Sequence, residues 1–185
     1  MPIDMKNVIA DTYASLVRQQ NVDKITVKAL IEACGISRQT FYYHFQDMMD
    51  VIEWSVRRAL ERIAREGLEK DSPEEAVELL IAAAAEHHAM LQKLLSSQRR
   101  ARVEQILTET TRAYCQEMLQ GGGARQLAIR YADLEVALDF CAAGLTALLI
   151  KHCANPKLDR RALARQVCAL MSGQMFRDGF AGQKG

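Results

Sequence analysis

The chain has 185 residues, of which 49% are hydrophobic and 25% charged, and its formal net charge is +1. With only 3 prolines and 10 glycines, it is typical of a globular protein of one large or two small domains, and a fibrous or loop-rich chain is excluded. The near-neutral charge does not indicate a polyanionic partner, so evidence for one must come from motifs.

The N-terminal region contains two predicted helices in quick succession. Apolar residues repeat at helical spacing over residues 4–20 and predict a first amphipathic helix, which the polar segment 21–23 interrupts. Thr26 is suited to cap a second helix, whose apolar positions follow the i, i+3, i+4, i+7 pattern. Gly35 is suited to end it, because glycine takes positive φ without strain.

A third short helix and a longer fourth one follow the glycine. Ser37 is expected to cap the third helix, in which Phe41 and Phe45 lie four residues apart and should both point into the core. Asp47 is expected to open a linking helix over residues 47–69.

The remaining patterns are also helical, and no β-type alternation competes with them. Ser72 followed by Pro73 is typical of a helix start. The further helices are predicted over residues 73–95, 99–120 (ended by Gly121-Gly122-Gly123), 134–154 and 160–177, the last capped by Asp159. The sequence therefore predicts an all-α fold.

The second and third helices, joined by a glycine-containing turn, match a helix-turn-helix unit that places a helix in a groove of DNA. If Phe41 and Phe45 are buried, Arg38, Gln39 and Thr40 lie in the first turn of the other face, where a recognition helix meets base edges. Arginine can bond guanine, glutamine can bond adenine, and a threonine methyl can pack on thymine. A packed helical hairpin without DNA binding is the alternative that the helix pattern alone leaves open.

The string TVKALIEACGISRQTFYYHF, residues 26–45, resembles the DNA-binding domain of the TetR family of bacterial regulators. The resemblance implies a helix-turn-helix domain at 1–46 with the start of linking helix 47–69, and a helical ligand-binding and dimerisation domain at 70–185. It also implies a homodimer that binds a palindromic double-stranded DNA operator and responds to a small-molecule effector. Transferred by position, the DNA-binding residues are Thr26, Lys28, Ser37, Arg38, Gln39, Thr40, Tyr42, Tyr43 and His44; of these, Lys28, Arg38, Gln39 and Thr40 would lie near bases, and Thr26, Tyr42, Tyr43 and His44 near the backbone.

One position departs from the family pattern. Three residues after Phe45, at the start of the linking helix, the family usually has a lysine. This chain has Met48 there, followed by Met49. Loss of that cation should remove one phosphate contact and flatten the salt dependence of binding by about one unit of log–log slope.

The C-terminal helices suggest a dimer interface and an effector pocket. Small and apolar residues could pack two copies into a four-helix bundle, or could instead complete the monomer core: Ala142, Ala143, Gly144, Ala147, Leu148, Leu163, Val167, Leu170, Met171 and Gly173. Candidate effector-binding residues are His87, His88, Met90, Tyr114 and Met118.

Other functional classes find little support. The five cysteines are odd in number and form no CxxC pair, which fits reduced thiols; Cys34, Cys141 and Cys168 are expected to be buried, leaving Cys115 and Cys153 as the candidates for redox sensing. No metal or cofactor site and no enzymatic motif is recognised. Neither a signal peptide nor a membrane span is predicted, so a cytoplasmic protein is expected. The expected function is a transcription regulator, a repressor in preference to an activator. A helical protein–protein interaction module is the alternative.

Overall fold

A computed structural model of the chain describes residues 4–121 and 131–175. Every regular element in these two ranges is helical, which confirms the predicted all-α fold. The α-helices are α1 Met5–Gln19, α2 Val27–Cys34, α3 Arg38–His44, α4 Met48–Leu68, α5 Pro73–Glu86, α6 His88–Leu95, α7 Arg100–Gly121, α8 Tyr131–His152 and α9 Arg160–Met171, with a 3-10 helix at Val22–Lys24.

The chain forms two compact units. Unit 1 consists of the residues up to Ala59 together with Ala89–Leu107, and unit 2 consists of Leu60–His88 together with the residues from Thr108 onward. Helices α4 and α7 therefore contribute residues to both units. The functional limits 1–46 and 70–185 remain a prediction.

Unit 1 contains the predicted helix-turn-helix, and its local signals are confirmed. The Thr26 hydroxyl accepts a hydrogen bond from the Ala29 amide at 3.1 Å, and the Ser37 hydroxyl accepts one from the Thr40 amide at 3.0 Å. Gly35 ends α2 with φ of 65°. Helix α1 packs against α2 and α3, which also pack against each other. The fully buried side chains of these three helices include Ile9, Val17, Leu30 and Phe41.

Unit 1 is completed by α6 and the start of α7. The ammonium of Lys93 donates to the carbonyls of Val17 at 2.8 Å and Arg18 at 2.7 Å, which lie in the last turn of α1. Those carbonyls lack intrahelical donors and carry the negative end of the helix dipole, so a cation stabilises them. The Arg99 guanidinium likewise donates to the Val22 carbonyl at 3.2 Å. These bonds tie segment 89–107 to the N-terminal helices.

Unit 2 has its own core, in which α5 packs against α8 and α9. The Tyr114 hydroxyl donates to the Ala76 carbonyl at 3.1 Å, joining α7 to α5. Arg112 on α7 binds two carboxylates of α8: its Nε donates to Asp139 at 2.6 Å and its Nη2 donates to Glu135. As predicted, Asp159 caps α9 by accepting from the Ala162 amide at 2.9 Å.

The predicted single helix over 73–95 is wrong. The structure divides it into α5 and α6, with His87 as the C-cap of α5 at φ −95° and ψ 5°. The Nδ1 of His88 lies 3.1 Å from the Ala85 carbonyl, so a side chain contacts a carbonyl near the end of α5 at the break. The break also separates the units, because α5 belongs to unit 2 and α6 after His88 to unit 1.

Two helix ends also differ from prediction. Helix α8 begins at Tyr131 instead of 134, and α9 ends at Met171 instead of 177 because Gly173 follows with φ of 71°. Gly121 is the last residue of α7, whereas Gly122 and Gly123 of the predicted helix stop lie outside the described residues.

Candidate nucleic-acid interface

Helix α3 has one buried and one exposed face, as predicted. Phe41 is 0% exposed and Phe45 4%, whereas Tyr42 is 46% exposed and Tyr43 84%. The ring of Phe41 packs edge-on against Tyr42, with centroids 5.3 Å apart. A large aromatic residue exposed to this degree contributes little to the core, so Tyr43 is available for an external partner.

The first turn of α3 presents a polar surface. Arg38 and Gln39 are exposed and Thr40 is half-buried. The Arg38 guanidinium lies 5.4 Å from the centroid of the Tyr42 ring, a cation–π contact that restricts where its donors point. The hydroxyls of Ser37 and Thr40 lie 2.8 Å apart, so Thr40 has its polar group engaged within the cap. Its methyl group remains for apolar contact.

Helix α2 contributes Thr26 and Lys28. Thr26 is exposed although its hydroxyl caps the helix. The Lys28 side chain is 85% exposed, and its ammonium lies 3.9 Å from Glu32. Because an exposed ion pair at such a distance contributes little, it would not prevent Lys28 from engaging an anionic ligand.

The C-terminal end of α3 borders an open cleft with a volume of about 210 Å³. His44 lies in the last turn of α3, is half-buried, and packs edge-on against Tyr43 with ring centroids 5.0 Å apart. The cleft is lined by Lys6, His44, Phe45, Asp50, Glu53, Trp54 and Arg57. Lys6 was missed by sequence reasoning, because it lies on α1 and only the fold brings it to the end of α3.

The start of α4 carries no cation. Met48 is 5% exposed, so its side chain belongs to the core of unit 1. The Asp47 carboxylate accepts from the Met49 amide at 2.6 Å and from the Asp50 amide at 3.0 Å, which confirms Asp47 as the residue that opens the helix. The predicted departure from the family pattern thus coincides with a buried side chain.

The five predicted effector residues do not share one unit. Met90 belongs to unit 1, and the other four belong to unit 2. His87 is exposed, while His88 and Met118 are half-buried. Tyr114 is buried, and its hydroxyl already has a protein acceptor. Their role as ligand contacts stays a prediction.

Sequence reasoning also missed a polar group in unit 2. Thr146 on α8 is 6% exposed, and within the described residues its hydroxyl has no hydrogen-bond partner. A buried hydroxyl without a partner is costly, so such a group favours a site where something else supplies the bond.

The apolar C-terminal residues are of two kinds. Ala142, Leu163 and Val167 are buried within unit 2, so they complete the monomer core and are not available to a second copy. Exposed apolar residues of α8, of α9 and of the segment that follows α9 include Val136, Phe140, Ala143, Gly144, Ala147, Leu170, Met171 and Met175. Sequence reasoning had not included Val136, Phe140 or Met175.

The three cysteines that were expected to be buried are only half-buried, and the two redox candidates are the buried ones. Cys115 and Cys153 are buried, whereas Cys34, Cys141 and Cys168 are half-buried. Burial raises the pKa of Cys115 to about 11, and it also raises the pKa of Cys153. Because the thiolate is the reactive form, both side chains stay in the unreactive thiol form at neutral pH.

These shifts predict a loss of stability in alkaline solution. Burial raises the pKa values of Cys115 and Cys168 from 9.0 to about 11. An acid whose pKa is higher in the folded state favours folding below its unfolded pKa, so this contribution is complete below pH 9 and is lost as pH rises to about 11. We expect the free energy of unfolding, measured by urea titration, to fall over that range.

The double variant Cys115→Ala/Cys168→Ala is the control for this pH dependence. Above pH 9, the ordinary pKa of a cysteine thiol, the free energy of unfolding of this variant should fall less steeply than that of the native protein. An equal slope in both proteins would contradict the assignment to the two thiols.

The described residues were also compared with the patterns of a metal site and of a membrane span. Among residues 4–121 and 131–175, no three histidine, cysteine or acidic side chains are grouped so that they could hold a metal ion. In the same ranges, none of the helices has both the length and the apolar character that a membrane span requires.

The N-terminal segment of the chain matches a known protein family. Residues 9–53 match the model of the bacterial regulatory proteins of the tetR family. This match includes α2, α3 and the start of α4. No curated protein sequence matches the chain.

Solved structures show the same fold over nearly the whole chain. The TetR family repressor AlkX from Dietzia sp. strain DQ12-45-1b, implicated in biodegradation of n-alkanes, is similar with a TM-score of 0.62 at 12% identity, over 94% of this chain and 98% of that one. The dihydroxyacetone kinase operon activator DhaS has a TM-score of 0.61 at 19% identity, over 93% and 96%. A tetR-family transcriptional regulator from Streptomyces coelicolor has a TM-score of 0.60 at 14% identity, over 94% and 83%. The helix-turn-helix segment thus matches the tetR family of bacterial regulatory proteins, and the chain shares its fold with these three solved regulators.

Proposed function

We propose that this chain is a ligand-responsive transcription regulator that binds a palindromic DNA operator as a homodimer. The observation that carries the proposal is the exposed polar face of α3, opposite the buried Phe41. A helical interaction module would not need a glycine turn that presents arginine and glutamine side by side in the first turn of a short helix.

The roles of the interface residues follow from their positions. Arg38, Gln39 and the methyl group of Thr40 would contact base edges, with Lys28 beside them on α2. Tyr42, Tyr43 and His44 would bond phosphate oxygens, which fix register without reading sequence. Thr26 and Ser37, whose hydroxyls cap α2 and α3, would orient the two helix starts at the DNA backbone.

The first test is selection of bound duplexes from a random DNA pool. The native protein should enrich a palindrome whose half-sites lie about one helical turn apart, roughly 34–36 Å. Absence of any enrichment, with DNA binding that Tyr42→Ala does not change, would contradict the proposal and favour the interaction module.

Gln39→Ala should change the preferred base at one position of each half-site. Loss of a bidentate base contact costs about 1–3 kcal/mol of discrimination, and the other positions should keep their preference. The matched control is Gln46→Ala, which removes an exposed glutamine just beyond α3 and should leave the selected site unchanged. If the native and Gln39→Ala proteins selected identical sites, Gln39 would not read a base.

The dimer is proposed to form through the exposed apolar residues of α8, of α9 and of the segment that follows α9. Val136 is 69% exposed and Phe140 is 76% exposed, on the same face of α8 as Ala143 and Ala147. Contiguous apolar surface of this kind marks an association site in a soluble protein. A second copy fits it because a palindromic operator requires a two-fold symmetric reader.

The effector is proposed to bind unit 2. The unpartnered Thr146 hydroxyl would bond an effector that carries a hydrogen-bonding group, and Tyr114 and Met118 would contribute apolar contact. Binding would change the orientation of linking helix α4 and thereby the spacing of the two DNA-binding segments.

We propose that the chain represses transcription, because a dimer bound at an operator blocks RNA polymerase. Among the similar structures, AlkX is a repressor and DhaS is an activator, so activation is the second candidate. A reporter fused to the selected operator would separate the two: expression should rise when the gene for this chain is deleted, and a fall would indicate an activator.

A further inference from the structure

We propose that Lys6 binds a DNA phosphate and supplies the cation that position 48 does not. The inference rests on the proposed DNA-binding function and adds a residue of α1 to the interface. It follows from the position of Lys6, from its lack of a carboxylate partner among the residues that the structure describes, and from the burial of Met48.

Lys6 lies at the end of α3 that carries His44. Its ammonium is 5.6 Å from the centroid of the Phe45 ring, and it lines the same cleft as His44. His44 in turn packs against Tyr43, which is 84% exposed. The ammonium is therefore located beside the residues assigned to the DNA backbone, although α1 lies outside the motif itself.

The acidic side chains of the cleft are engaged elsewhere. Asp50 accepts a hydrogen bond from the Gln46 amide at 2.8 Å. Glu53 pairs with Arg57 at 3.1 Å and with Arg102 at 3.5 Å. Within the described part of the chain, Lys6 forms no ion pair with any carboxylate, and its ring contact on Phe45 leaves its three donors unused.

Counting only partners among the described residues, Lys6 of the cleft is thus unpaired and Arg57 is paired. Arg57 is held by Glu53, an i,i+4 neighbour, whereas Lys6 has no such competitor. A lysine binds phosphate as a point charge and does not require the planar geometry of a carboxylate pair, so a single well-placed ammonium is sufficient.

Met48 explains why this cation matters. Its side chain is 5% exposed at the start of α4, so it contributes to packing and can offer nothing to a phosphate. The Asp47 carboxylate adjacent to it also lowers the attraction of this helix start for an anion, since it already occupies the amides of Met49 and Asp50. Lys6 restores one positive charge at the neighbouring end of α3.

The test is the salt dependence of binding to the palindromic duplex recovered by selection. Each phosphate contact contributes about 0.9 to the slope of log affinity against log salt concentration, which is roughly a threefold change in affinity over a fourfold rise in salt. Lys6→Met keeps an unbranched apolar stem over Phe45 and removes only the charge. We expect this variant to lose about one unit of slope, Lys6→Arg to retain it, and both to select the native sequence.

Lys157→Met is the matched control, because Lys157 is an exposed lysine of unit 2 that has no place in the proposed interface. It should keep the native slope. An unchanged slope in Lys6→Met would overturn the inference and leave the proposed function intact. A lowered Tm without a change of slope would do the same, because Lys6 would then act only on the packing of Phe45. If the native protein enriched no duplex at all, the proposed function and the inference would both be overturned.

Discussion

Replacement of Phe41 by alanine is expected to lower the free energy of unfolding by about 3–5 kcal/mol and to abolish operator binding. Phe41 is fully buried and contacts the rings of Tyr42 and Phe45, with centroids 5.3 and 6.2 Å away. Its removal leaves a cavity under a helix of only 7 residues, which has little stability apart from its packing. Urea unfolding followed by circular dichroism would measure the loss.

Tyr43→Ala on the same helix is the control for Phe41→Ala. Because Tyr43 is 84% exposed, its loss should change stability by no more than about 0.5 kcal/mol. DNA binding should nevertheless weaken for all sequences alike, since a backbone contact is lost. A loss below about 1 kcal/mol for Phe41→Ala would contradict its place in the core.

Phe140→Arg is expected to convert the proposed dimer into a monomer and to lower operator affinity by about 10²–10⁴-fold. At 76% exposure, Phe140 would project from α8 into a contact with the second copy, where a two-fold axis would bring two added charges together. Sedimentation equilibrium would measure the association. Affinity for a single half-site should stay the same, because each α3 is unaltered.

Leu68→Arg is the control for the dimer prediction. Leu68 is another exposed apolar residue, at 45%, but it lies at the end of α4 and is not one of the exposed apolar residues of α8. This variant should remain dimeric and bind the full operator. If Phe140→Arg also sedimented as a dimer, the interface would have to be sought away from α8.

The helix-turn-helix was predictable because its signals are local. Thr26, Gly35 and Ser37 act on backbone groups no more than five residues away, and they were recognised from residue type and spacing. The burial of Phe41 and Phe45 followed from their four-residue separation on one helix. Helix geometry fixes these relations whatever the rest of the chain does.

The features that escaped sequence reasoning depend on contacts between distant segments. The break at His87 follows an alanine-rich helix whose periodicity shows no interruption, so propensity gave no warning of it. Lys6 reaches the end of α3 only through the packing of α1. The charged sequence neighbours of Cys115 and Cys153 suggested reactive thiols, but Arg112 binds Asp139 and Glu135 of α8, and both cysteines lie in the core of unit 2.

The bonds from Lys93 to the end of α1 also affect the order in which the newly made chain can fold. Unit 1 includes Ala89–Leu107, so its first helices leave the ribosome before the segment that completes them. At about 5–20 residues per second, synthesis of the intervening segment takes a few seconds. During that interval the carbonyls of Val17 and Arg18 lack the Lys93 ammonium and must bond to water. The helix-turn-helix is thus translated before the segment that completes unit 1, and unit 1 cannot be fully assembled until that segment has been made.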